Sequence, residues 1–173
     1  MRDVFVERQL PETVTDAQMR AVANKLETCL DIHRVTWCGS LLSEDGNQMF
    51  CHFRGADAES VRIALRQSGA PPGVAWACHV EDAPGLGDGE LATVTAVVVH
   101  TFAEPAGAKG LQEAMAAGAF STHGVRLLRS YLPGDGLKRV ALYQAPDAEA
   151  IRAAQREAGL PPDRVVPVRR YAP

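Results

Sequence analysis

The chain has 173 residues and a formal charge of −3, with 21 acidic against 18 basic side chains. No run of Lys or Arg exceeds a pair, which argues against a nucleic-acid footprint. The apolar stretch 94–99 is far short of a membrane span, and Arg2, Asp3, Glu7 and Arg8 exclude a secretory core in residues 1–10.

In chain order, residues 3–9 alternate and carry Val4, Phe5 and Val6, so they read as a strand. Thr15 is an N-cap for a helix whose Met19, Val22, Ala23, Leu26 and Leu30 recur at helical spacing. Residues 36–42 and 48–54 are strands joined around Asp45-Gly46, a strong hairpin signal. Asp57 caps a helix burying Val61, Ile63, Ala64 and Leu65, stopped by Gly69, Pro71 and Pro72. Residues 74–80 form the last strand of this set. Residues 81–90 have no periodicity and read as linker.

The plan then repeats. Residues 94–102 are a strand and 108–120 a helix. Residues 125–132 and 139–144 are a hairpin around Asp135-Gly136, residues 147–158 a helix and 165–170 the closing strand. A shift of 90 positions lays residues 40–72 on 130–162 with 12 identities in 33 positions, among them Asp45, Gly46, Asp57, Glu59, Arg62 and Gly69. Such self-similarity redefines the folding unit. The expected fold class is α+β: two tandem ferredoxin-like βαββαβ halves packed as a pseudo-dimeric α/β barrel. The expected boundaries are residues 1–81 for the first half, 82–91 for the linker and 92–173 for the second half.

The run Tyr143-Gln144-Ala145-Pro146-Asp147-Ala148-Glu149-Ala150-Ile151-Arg152, followed by Ala158-Gly159-Leu160-Pro161-Pro162-Asp163-Arg164-Val165, resembles a small bacterial family. That family is catalogued as a domain of unknown function, and some of its members are described as nickel-binding. The first copy shows the same layout in weaker form, with Val6-Glu7-Arg8, Ser43-Glu44-Asp45-Gly46, Phe50-Cys51, Gly55-Ala56-Asp57-Ala58-Glu59 and Ser68-Gly69-Ala70-Pro71. The resemblance implies a ferredoxin-like fold that pairs into a barrel, and it points to transition-metal binding. Its matching motifs are turns and caps, so it assigns no ligand. The copies also differ: Ala141 stands where the first has Cys51, and His100 roughly where the first has Glu7.

Chemistry-bearing residues are few. Cys29, Cys38, Cys51 and Cys78 all lie in the first copy with no CxxC spacing, which favours reduced thiols in a cytoplasmic setting. His33 and His123 are 90 apart, each just before a second strand. Each is either a metal ligand or a cation closing a helix. Cys51 and His52 are strand neighbours and point to opposite faces, so they cannot share one mononuclear site without a bulge. Cys51 reads equally as a small buried thiol. Glu7 and His100 interrupt apolar strands, either as an acid–base or ligand pair or as a structural hydrogen bond. The candidate metal set is therefore His33 and Cys51, joined by Glu7 or His100, with His52 and His123 as further donors. Trp37, Tyr131 and Tyr143 suit either a small-molecule pocket or the core.

Two functions follow. One is a small transition-metal binding protein of nickel type, working without turnover, with nickel or another divalent ion as ligand. The other is a cofactor-independent monooxygenase or isomerase using a pocket of the barrel, which rests on fold analogy. The expected partners are a metal ion or small molecule, with neither nucleic acid nor membrane; self-association of the fused chain is left open.

Overall fold

Each repeat folds because its local signals agree. A computed structural model describes residues 1–10, 15–105 and 118–171. In the first half, β1 (Arg2–Gln9) leads to α1 (Asp16–Ile32), β2 (Thr36–Ser43), β3 (Gln48–Gly55), α2 (Ala58–Gln67) and β4 (Val74–Asp82). Thr15 caps α1, its hydroxyl accepting from the Gln18 amide while the Gln18 side chain takes the Thr15 amide. Asp57 caps α2 by accepting from Ser60 N at 2.8 Å. The helix ends before Gly69, whose φ of +75° no L side chain adopts readily. The Met19 side chain expected in the α1 core lies outside the described residues.

The second half repeats the order with β5 (Ala96–Thr101), α3 (Ala119–Thr122), β6 (Arg126–Pro133), β7 (Lys138–Gln144), α4 (Ala148–Glu157) and β8 (Arg164–Tyr171). Most of the helix expected over 108–120 lies outside the described residues; its end is α3. A short 3-10 turn, Glu90–Thr93, begins in the region read as linker and runs two residues past its expected end before β5. Compact units run Met1–Cys78 with Arg170–Pro173, and His79–Arg169.

Within the first unit the strands run antiparallel in the order β2-β3-β1-β4; within the second the order is β6-β7-β5-β8. Both are the split βαβ arrangement of a ferredoxin-like sheet. Asp45-Gly46 and Asp135-Gly136 both fall in the turn between the second and third strands. Asp45 accepts from Asn47 N and Asp135 from Leu137 N, each at 3.0 Å. A β-bulge recurs 90 residues apart, at Trp37/Gly39 and at Leu127/Arg129.

One face of each sheet packs on helices. In the first half Leu26, Leu30, Val61 and Leu65 meet Val4, Val6, Met49, Cys51 and Phe53. In the second, Phe120, Ile151 and Ala154 meet Ala96, Val98, Ala141 and Tyr143. Each large side chain so buried contributes about 1.5–3 kcal/mol. Among the described residues, no helix is long and apolar enough to cross a membrane.

Candidate functional site

Strand alternation sorts the first half's polar residues onto two faces. On β1, Val4, Val6 and Arg8 face the helices, whereas Asp3, Phe5 and Glu7 face away. The register fixes their neighbours: Asp3 opposes Arg54 and Cys78, Phe5 opposes His52 and Trp76, and Glu7 opposes Phe50 and Val74. Phe5 and Trp76 meet at a tilt of 46° with centroids 5.3 Å apart, and Phe5 lies 6.4 Å from Phe50. The helix-free face is thus an aromatic floor bearing two carboxylates, an imidazole, an indole N–H and a thiol.

His52 is its centre. The imidazole is 8% exposed, and its Nε2 donates to Asp3 Oδ1 at 2.8 Å. Arg54 Nε stands 3.7 Å from the same oxygen. Trp76 Nε1 donates to Glu7 Oε1 at 3.1 Å. The Cys78 thiol is pushed up to about 12, first by burial and then by the Asp3 charge, so it is not a ready thiolate at neutral pH.

The two halves differ most on this face. The registers equate Asp3, Phe5 and Glu7 with Thr95, Val97 and Val99, because Phe5 opposes His52 as Val97 opposes Leu142. By the same alignment Val140, Leu142 and Val166 replace Phe50, His52 and Trp76. The second half offers an aliphatic surface where the first offers chemistry.

The six expected metal donors are dispersed. His33 follows α1, and its Nε2 donates to Gln67 Oε1 at 2.7 Å; His123 follows α3 and bonds Glu157 Oε2 at 2.6 Å. Cys51 is 1% exposed in the helix-side core, where it accepts from Ser40 Oγ at 2.9 Å. His100 is also on the helix-covered face of its own sheet. Its Nε2 donates to Gln155 Oε1 at 3.1 Å and to the Leu160 carbonyl at 3.3 Å, and burial pushes its pKa down.

Glu7 and His100 are therefore not equivalent, contrary to the sequence comparison. His100 opposes Arg139, the counterpart of Met49, whose partner is Arg8. The first strands align at an offset of 92, whereas Glu7 and His100 lie 93 apart, and that one-residue slip turns their side chains to opposite faces. Only Glu7 and His52 of the six share the helix-free face of the first half. Among the described residues no three His, Cys, Asp or Glu groups converge as a metal site. The first half offers a two-donor nucleus, His52 with Asp3, and not a full nickel coordination set.

Sequence reasoning missed Asp3 and Trp76. Their signal was the period of two through Asp3, Phe5 and Glu7, together with a strand pairing that joins residue 76 to residue 5.

The fold is shared with proteins of other labels. A protein provisionally described as the chlorite dismutase TA0507 superposes with a TM-score of 0.56 at 14% identity, over 98% of this chain and 93% of that one. A Lactobacillus acidophilus NCFM protein with a provisional monooxygenase label gives 0.51 at 11% identity, over 98% and 94%. At such identities the likeness establishes the fold alone. Comparison with curated proteins gives no match. The model of the nickel responsive protein SCO4226-like family matches twice, over residues 5–75 and 97–168, so the chain belongs to that family and carries its unit in tandem.

Proposed function

We propose that the protein is a nickel-responsive binding protein without turnover, in which the first half binds the ion and the second half does not. The observation that carries this reading is the asymmetry of the helix-free faces, His52, Asp3 and Glu7 against Leu142, Thr95 and Val99. Imidazole and carboxylate suit a borderline divalent ion. His52 Nε2 and Asp3 Oδ1 would hold the ion in place of the proton that now joins them, supplying one imidazole and one carboxylate donor, while Glu7 lies on the same face. Water completes such a set. The arrangement of the two copies expected from the sequence stays part of this proposal, supported by the whole-chain likeness to known folds. So does a cytoplasmic setting, supported by the free thiols of Cys29, Cys51 and Cys78.

Calorimetric titration with nickel tests the reading. Wild-type protein should bind with release of a proton. His52→Ala should weaken binding by at least about tenfold, or ~1.4 kcal/mol. His33→Ala should leave affinity unchanged. The enzymatic reading draws support from the aromatic floor of Phe5, Phe50 and Trp76, and it predicts turnover of an apolar substrate without nickel uptake.

A further inference from the structure

We propose that the first half carries a second, unrelated site: a cationic cleft between the end of α2 and the start of β4 that binds a small organic oxyanion. The ligand class is an anionic phosphate or carboxylate head on a compact apolar body.

The cleft encloses about 330 Å³, lined by Arg62, Leu65, Arg66, Ala70, Pro71 and Gly73 among others. That volume is at the small end of ligand pockets, and apolar walls with a few charged groups are their usual composition. Arg62 is held along the wall by Glu59 Oε2 at 2.7 Å and by the Ala75 carbonyl at 2.8 Å. Arg66, one turn further on, is exposed and has no carboxylate partner among the described residues.

The observation that points to a ligand lies behind the wall. Arg8 is 6% exposed, yet among the described residues its only hydrogen-bonding neighbours are the sulfurs of Met49 and Cys51, each 3.8 Å from NH1. Its Nε and NH2 are buried without any partner. A buried guanidinium without a counter-charge is costly, and arginine presents a fork suited to phosphate or carboxylate.

Gly73, in the cleft wall, lies directly over the aliphatic stem of Arg8. A Cβ added there would stand 2.5 Å from Arg8 Cγ and 2.7 Å from the Glu7 carbonyl oxygen, so only glycine lets the arginine pack beneath the floor. The second half gives the same placement. His100, the counterpart of Arg8, reaches Gln155 and Leu160, the counterparts of the lining residues Leu65 and Ala70.

The second half also shows what the cleft looks like when it is neutralised. Arg156, the counterpart of Arg66, pairs with Glu149 at 2.7 Å, and Asp163 stands in place of Gly73. There Arg152 and Arg156 are balanced by Glu149 and Asp163. In the first half Arg62 pairs with Glu59, and among the described residues neither Arg8 nor Arg66 has a carboxylate partner.

The test titrates the full chain with phenyl phosphate, benzoate and inorganic phosphate by calorimetry. Phenyl phosphate or benzoate should saturate one site at least about tenfold more tightly than inorganic phosphate, and the tighter of the two identifies the head group. Arg66→Ala should weaken that binding at least about tenfold, while Arg156→Ala changes it by less than about twofold. Arg8→Met should do as Arg66→Ala does; should that variant fail to fold, Arg66→Ala against Arg156→Ala still decides. Absence of saturable binding by all three probes, equal affinity for inorganic phosphate, or equal losses in Arg66→Ala and Arg156→Ala would overturn the proposal.

Discussion

His52 Nε2 donates to Asp3 Oδ1 across 2.8 Å, joining β3 to β1 on the helix-free face of the first half. The aligned positions of the second half hold Leu142 and Thr95, which can form no such pair. A duplicated chain thus carries an ionisable pair once. Burial of an imidazole beside a carboxylate is costly unless the two are bonded, so its presence in only one copy points to work done there rather than to the shared fold.

His33 and His123 tell the opposite story. Each follows a helix and bonds the last residue of the next one, Gln67 or Glu157, at matching positions of the two copies. A role repeated in both halves is a role in the fold. His33→Ala and His123→Ala should each lower stability by about 0.5–1 kcal/mol without changing nickel affinity. Urea unfolding beside nickel titration of the two variants checks this; loss of nickel binding with unchanged stability would return both histidines to the ligand set.

His100 gives the stability a pH dependence of known sign. Burial lowers its pKa below the ordinary imidazole value of about 6.5 in the folded protein. Below pH 6.5 the unfolded chain binds a proton that the folded chain does not. Stability therefore falls with pH from that point until the folded pKa is passed, at up to about 1.4 kcal/mol per pH unit. His100→Gln removes the titration. The stability difference between wild type and variant should shift against the wild type on going from pH 7 to pH 5, measured by urea midpoints; a pH-independent difference would contradict the assignment.

Arg34 holds φ at +53° where its counterpart Gly124 holds +66°, each just past a helix end. A side chain in this region is strained, although glycine gives back part of the gain through the unfolded chain. Arg34→Gly should raise stability by about 0.5–1 kcal/mol net. A lower melting temperature for the variant would show that the Arg34 side chain has a role not evident from its backbone.

Much of this fold was legible because its signals are local. Thr15 and Asp57 cap the helices as expected, Asp45-Gly46 and Asp135-Gly136 make the turns, and the 90-residue spacing carries even the bulge at Trp37/Gly39 into the second sheet. The site was less legible because it depends on pairing across the chain. Asp3 meets His52 only through the β1–β3 register, 49 residues apart. Glu7 and His100 look alike in sequence, yet they lie 93 apart where the strands align at 92, and that one-residue slip puts them on opposite kinds of face. No local signal marks Arg8 as buried; Gly73, far along the chain, leaves room for its stem against the core.

The central claim is that one half binds nickel, and binding stoichiometry tests it most directly. Equilibrium dialysis of wild-type protein, His52→Leu and Leu142→Ala against nickel, with elemental analysis of the retained metal, separates the halves. The account predicts no more than one nickel per chain in wild type, an unchanged value in Leu142→Ala, and loss of the ion in His52→Leu, which gives the first half the residue of the second. Two equivalent sites per chain, or full retention of nickel by His52→Leu, would contradict it.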